Sequence, residues 1–208
     1  MIDKNHPLSN GVCFAILAGG NSSRMGVDKG LLLYKDMPLI RWIVYRAHEL
    51  TRDVLVIANR VDAYNFLSVP IIKDLYNARG PLVGLYSALR ATQKEYVILT
   101  GCDMPFINLN LLSYEVNLLA QSGADVAIPK HDQILEPLHS VYRRTTCLPI
   151  IEAALDNGDR SLVGWQCQVK VNEIDDNVLL TFDPELQFLI NLNTPQDYQA
   201  HISSKERK

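Results

Sequence analysis

The chain has 208 residues, 48% of them hydrophobic and 21% charged, with a formal net charge of −3. A chain of this length closes around one well-buried core, so a single domain over 1–208 is expected. So slight an acidic balance excludes the basic face that a nucleic-acid backbone demands, and no stretch is apolar for long enough to cross a membrane. The polar start MIDKNHPLSNG lacks the apolar core of a signal peptide. The four cysteines form neither a C-x-x-C pair nor a dense disulfide pattern, which predicts reduced thiols and a cytoplasmic location. Cys102 stands beside the acidic Asp103, which disfavours a thiolate, so no nucleophilic role follows.

In chain order, the apolar run over 12–17 predicts a buried strand and the pattern over 39–50 an amphipathic helix. DVLVIA over 53–58 predicts a second strand and 71–72 a short third one. Pro81 suits the first turn of a helix over 82–91, YVILT over 96–100 reads as another buried strand, and 109–120 as another helix. Strands over 124–129 and 138–142 follow. This alternation predicts an α/β fold, a mostly parallel Rossmann-like sheet with helices on both faces. From about 130 to 180 the rhythm breaks, with a helix around 149–155 and a short strand within 168–174. That stretch reads as an insertion carrying a second binding surface. The apolar run over 187–190 predicts a last strand, and the charged tail 203–208 is expected to fray.

Three segments carry chemistry. VCFAILAGGNSSRMGVDKGLLL, residues 12–33, runs from a strand into Gly19 and Gly20 and then presents Arg24 and Lys29. Glycines let backbone N–H groups approach phosphate oxygens, and the two cations suit a triphosphate. The segment matches neither G-x-x-x-x-G-K-[ST] nor G-x-G-x-x-G, and on the glycines alone an ordinary strand-turn-helix connection reads at least as well. GCDMPF over 101–106 puts Asp103 just past a strand, at the edge where open parallel sheets collect ligands. A carboxylate there can hold Mg²⁺ against phosphates, with a turn cap as the competing reading. Asn191 or Asn193 offers a further oxygen to the metal, while Thr194 or Asn193 before Pro195 equally suits a helix cap, and both roles can hold at once.

LAGGNSSRMGVDKGLL resembles the signature of the molybdenum cofactor guanylyltransferases, within the nucleotidyltransferases that share a Gly-rich loop followed by Arg and Lys. Further matches lie in order at Asn59-Arg60, Asp74, GPLVG over 80–84, GCDMPF, and NLNTPQD over 191–197. The resemblance implies a nucleotide-diphospho-sugar transferase-like fold and transfer of GMP from GTP to the phosphate of molybdopterin, releasing pyrophosphate. It implies catalytic roles for Arg24, Lys29 and Asp103. Leu17, Ala18, Gly19, Gly20, Asn59, Asp74 and Gly80 would join Lys29 and Asp103 around the nucleotide. Mg²⁺ is the implied cofactor, at Asp103 with support from Asn193 or its neighbour Asn191. Within the group LAGG goes with guanine and LAAG with cytosine, which lacks guanine's paired N1–H and N2–H₂ donors.

On this reading residues 10–129 bind the nucleotide and 130–180 the pterin, with His139, Arg160 and Ser161 as candidate pterin contacts. A satisfied structural histidine competes for His139, and a helix-end cap for Arg160. The implied partners are GTP and molybdopterin or molybdenum cofactor, with transient contact to cofactor-receiving apo-enzymes. Two rivals stand beside this reading. One is a cytidylyltransferase acting on molybdopterin or a sugar-type phosphate. The other is a non-catalytic GTP- or cofactor-binding delivery protein, against which the intact Arg24, Lys29 and Asp103 argue.

Overall fold

The computed structural model describes residues 11–18 and 28–192, so Gly19, Gly20, Arg24 and Asn193 lie outside the described residues. The first strand, β1 (Val12–Leu17), is buried along its whole length. Side chains alternate across a strand, so Phe14 and Ile16 enter one apolar core while Cys13, Ala15 and Leu17 enter another on the opposite face. A strand buried on both faces has to be apolar throughout, as this one is.

A short hairpin follows, β2 (Leu33–Tyr34) and β3 (Met37–Pro38), turning through Lys35 and Asp36 at positive φ of 48° and 62°. Then come α1 (Leu39–Ala47), β4 (Val54–Ile57), β5 (Ile71–Ile72), α2 (Pro81–Ala91) and β6 (Tyr96–Gly101). After α3 (Leu109–Ser122) and β7 (Val126–His131), a tight turn leads to β8 (Ile134–Leu135) and on to β9 (His139–Arg143). The described chain closes with α4 (Arg144–Asp156), β10 (Val171–Ile174) and α5 (Asp176–Phe182). The main sheet has the order β10-β7-β9-β6-β1-β4-β5, with β8 paired to β7. Helices α1, α3 and α5 feed the core on one face, and α2 and α4 the core on the other. None of the described helices is long and apolar enough to cross a membrane.

The sheet is mostly parallel, with β1 between β4 and β6 in parallel register, and β9 is the reversed strand, antiparallel to both β6 and β7. The stretch over 130–180, read as an insertion within the single domain, is woven into the sheet. That stretch supplies strands to the same sheet and helices to the same cores, because β9 slots between β6 and β7 and β10 pairs with β7. The expected strand over 187–190 is instead a 3₁₀ turn, Gln187–Leu189. Leu186 takes a left-handed φ of 48° and the Asp183 carboxylate accepts the Phe188 N–H at 3.0 Å, which folds the run into a plug for the core.

The core against β9 encloses two ionisable side chains, His139 and Glu115, both without exposed area. His139 Nε2 accepts the Asn108 N–H at 3.1 Å, which assigns the ring proton to Nδ1, 3.3 Å from Glu115 Oε1. Burial in a low-dielectric core disfavours charge, lowering the His139 pKa to about 3 and raising that of Glu115 well above its ordinary 4.5. Burial thus favours the neutral form of both groups, and Glu115 Oε2 has no hydrogen-bond partner.

The two shifts act on stability in opposite pH ranges. Below pH 6.5 the unfolded state takes up a proton on His139 that the folded state refuses, so stability falls as pH drops toward 3. Above pH 4.5 the unfolded state has released the Glu115 proton while the folded state keeps it, so this carboxyl lowers stability progressively as pH rises toward its folded pKa. Glu115→Gln removes the second effect. Denaturant melts at about pH 5 and about pH 8 are expected to show the variant gaining on wild type as pH rises. An unchanged difference across that range would place a charged Glu115 in the core.

Candidate active site

Four parallel strands, β5, β4, β1 and β6, stop along one edge of the sheet, where side chains leave the buried core. At the end of β1, the Ala18 N–H donates to the Ile57 carbonyl at 2.8 Å and the Leu17 carbonyl accepts the Cys102 N–H at 3.0 Å. The sheet ladder thus brings Leu17 and Ala18 against the segment that carries Asp103. Burial, reinforced by the Asp103 charge, raises the pKa of the Cys102 thiol, so this cysteine stays protonated.

Asp103 Oδ2 lies 3.2 Å from Lys29 Nζ, with the two side chains 20% and 30% exposed. These residues are 74 positions apart, and each is fixed separately. Lys29 opens a 3₁₀ turn capped by Asp28, whose Oδ1 accepts the Gly30 N–H at 3.2 Å and the Tyr64 hydroxyl at 2.6 Å. Asp28 Oδ2 also stands 3.7 Å from Arg60 Nη1. On the other side, the Asp103 carbonyl accepts the Leu192 N–H at 2.8 Å, which delivers Asn191 to the site although no strand precedes it. A Cβ on Gly101 would stand 2.6 Å from Asp103 Oδ1, so a larger residue there would shift that carboxylate.

An aromatic cluster ties the two segments together. The Trp42 indole N–H donates to the Pro105 carbonyl at 3.0 Å, and Tyr34, five residues past Lys29, packs between Trp42 and Phe106 at 5.5 and 6.1 Å. Sequence reasoning passed over Asp28, Tyr64 and Trp42. Asp28 had a visible signal, an N-cap residue directly before Lys29, whereas the contacts of Tyr64 and Trp42 span 36 and 63 positions.

Further along the edge, Asn59 Nδ2 donates to Asp74 Oδ2 at 2.6 Å and the Asp74 N–H returns to Asn59 Oδ1 at 3.3 Å. Asn59 borders an open cleft of about 740 Å³, lined also by Arg60, Val61, Asp62, Ala63 and Lys73. Gly80 precedes α2 with φ of 140°, a conformation that L side chains rarely adopt. The Leu82 N–H behind it donates to the Arg160 carbonyl at 3.3 Å.

The three expected pterin contacts are not brought together. His139 is enclosed in the core, with its ring 4.7 Å from Phe188, so the expectation of a ligand contact there is corrected: β9 is covered on both faces and the imidazole meets no solvent. Arg160 Nη1 donates to the Leu155 carbonyl at 3.0 Å, which realises the helix-end cap at the close of α4. Ser161 makes the adjoining turn, its Oγ accepting from the N–H groups of Val163 and Gly164 at 3.2 and 3.3 Å.

The donor set at Asp103 suits a hard divalent cation of the Mg²⁺ kind, which takes one or two carboxylates and fills its shell with water and phosphate oxygens. A second cluster, His131, Asp132 and Asp176, is a hydrogen-bonded clamp. His131 Nδ1 meets Asp176 at 2.7 Å while Nε2 faces Asp132 at 3.4 Å, and one ligand atom from each of the three residues lies within 4.8 Å of the others.

Residues 14–171 match the MobA-like NTP transferase domain. The chain is 33% identical over 195 residues to "Probable molybdenum cofactor guanylyltransferase" of Clostridium perfringens (strain SM101 / Type A), covering 92% of this chain and 96% of the relative. It is 35% identical over 193 residues to the protein of the same name from Carboxydothermus hydrogenoformans, covering 89% and 92%. The crystal structure of molybdopterin-guanine dinucleotide biosynthesis protein A from Archaeoglobus fulgidus is similar to it with a TM-score of 0.81 at 26% identity, over 92% of this chain and 98% of that one. A match of this extent, on a sheet whose carboxyl edge gathers Lys29 and Asp103, shows that the chain belongs to the MobA-like NTP transferase family.

Proposed function

We propose that this chain is a nucleotidyltransferase that moves GMP from GTP to the phosphate of molybdopterin, forming the guanine dinucleotide and releasing pyrophosphate. The Lys29–Asp103 pair at the end of β6 carries the reading, because it sets a cation for phosphate beside an anion for metal at one point of the sheet's carboxyl edge. The relatives' names supply the substrates, and LAGG at 17–20 favours guanine over cytosine.

The reaction is an in-line displacement. An oxygen of the pterin phosphate attacks the α-phosphorus, a new P–O bond forms, and the bond to the β-phosphate oxygen breaks with pyrophosphate as the leaving group. The attacking oxygen is already anionic, so no side chain has to remove a proton. Catalysis then rests on position and charge. Lys29, drawn from Asp103 by an incoming triphosphate, neutralises phosphate oxygens, and Arg24 adds a second cation. Asp103 would hold Mg²⁺ with Asn193 or Asn191, and the ion would supply further neutralisation of the phosphates. Asn59 and Asp74 serve the nucleoside end.

Pyrophosphate release from GTP and from CTP, with and without molybdopterin, tests the whole reading. Release with GTP alone among nucleotides, and only when molybdopterin is present, is the expected result. CTP turnover at a similar rate would overturn the guanine assignment, and tight GTP binding without release would make the chain a carrier.

Asp103→Asn keeps the side-chain size but deletes the anion, and is expected to lower kcat about a hundredfold or more with GTP affinity far less affected. Wild-type turnover at limiting Mg²⁺ would remove Asp103 from the metal. Lys29→Ala is expected to lower turnover by about two to three orders of magnitude, the loss that follows removal of one preorganised charge-stabilising group. Kinetics near wild type would return Lys29 to a surface role. Gly101→Ala tests the geometry alone: its Cβ displaces the Asp103 carboxylate, so kcat is expected to fall about tenfold or more while the melting temperature changes little.

A further inference from the structure

The sheet divides at Asp103. Strands β1, β4 and β5, ending near Asn59 and Asp74, lie on one side of β6, and β9 and β7 lie on the other. Because β9 runs antiparallel to β6, its entry segment, Glu136-Pro137-Leu138, arrives where β6 ends. The same hypothetical Cβ on Gly101 that would meet Asp103 Oδ1 would lie 3.4 Å from Leu138 Cδ1. This segment forms a wall beside the carboxyl end of β6, on the side away from Asn59 and Asp74.

The wall is rigid. The Glu136 N–H donates to the Pro129 carbonyl at 2.9 Å, the Ser140 hydroxyl to the Glu136 carbonyl at 2.7 Å, and the Tyr142 hydroxyl to the Pro137 carbonyl at 2.9 Å. Glu136 Oε1 accepts the Leu138 N–H at 3.0 Å. Among the described residues, Oε2 has no hydrogen-bond partner and Glu136 no ion pair. Burial raises the Glu136 pKa, and the Asp103 charge adds to that rise. A partly buried acid beside a like charge is unfavourable by itself, so a place built this firmly for one calls for an incoming donor.

We propose that Glu136 recognises the acceptor substrate by accepting the paired N–H and NH₂ donors of its 2-amino-4-oxopyrimidine ring. The proposal rests on the transferase reading above and deepens it by naming the residue that selects the pterin. Guanine carries the same donor pair, but the nucleoside end lies across β6, at Asn59 and Asp74, whereas Glu136 stands on the β9 side.

The test uses the full chain with Glu136→Gln, which retains an oxygen for the Leu138 N–H and replaces one acceptor by a donor. Three quantities are read: fluorescence-detected binding of a simple pterin phosphate, calorimetric binding of GTP with Mg²⁺, and the molybdopterin concentration that gives half-maximal rate. Pterin affinity is expected to fall about tenfold to a hundredfold, the range of one charge-assisted hydrogen bond, and half-saturation to rise in parallel, with GTP affinity unchanged. Glu136→Asp, which keeps the charge, is expected to restore part of the pterin affinity, an ordering that loss of local structure would not produce. Unchanged pterin binding in Glu136→Gln overturns the proposal, and so does a loss confined to GTP, which would assign Glu136 to guanine. Glu136-dependent pterin binding by a wild-type chain that transfers no GMP would sink the transferase reading and leave the pterin site standing.

Discussion

Burial of β1 on both faces is the constraint from which the site follows. Its six residues, packed between β4 and β6 and under helices on either side, leave no room for a polar group along their length. Chemistry is therefore confined to the point where the strand stops and the ladder continues to Ile57 on one side and Cys102 on the other. Leu17, Ala18 and the Asp103 segment become neighbours because they are consecutive exits from one parallel ladder, whatever their separation in sequence.

Within that edge, charge is arranged by capping and packing. Lys29 is held by a turn that Asp28 caps, and Asp28 itself is held by Tyr64 and Arg60 from beyond β4. Asp103 is held by a loop that Trp42 grips at Pro105 and that ends at Asn108, whose N–H is accepted by His139. The histidine therefore acts from within the core, as a neutral acceptor at the start of α3, and the same burial favours the neutral form of its partner Glu115. The reversal of β9 has two consequences at once. It closes His139 into the interior, and it swings Glu136 to the rim beside Asp103.

Much of the architecture was legible in the chain. The runs over 12–17, 53–58, 96–100 and 124–129 are apolar because both faces of the sheet are covered, and Pro81 begins α2 as its fixed φ suits. Asp103 falls just past a strand end because a buried run can bear a carboxylate only where it stops. Local signals failed where the outcome depended on distant partners. The run over 187–190 is apolar because Phe188 fills a core, and apolarity alone does not tell a short strand from a plug. The stretch 130–180 broke the helix-strand rhythm because β9 runs backwards, and strand direction leaves no mark in composition.

The sequence by itself therefore carried the family resemblance in its motifs, and its hydrophobic period determined the α/β layering and the presence of a carboxylate at a strand end. Only the tertiary structure decided that Lys29 and Asp103 meet at 3.2 Å, that Arg160 caps its own helix, and that the Glu136 segment borders the end of β6 while His139 is enclosed in the core. The physical reason is that an ion pair across 74 positions, or the facing of one residue in an antiparallel strand, depends on which strands become neighbours. Neighbourhood is set by the burial of the whole sheet at once, and no local run of residues carries it.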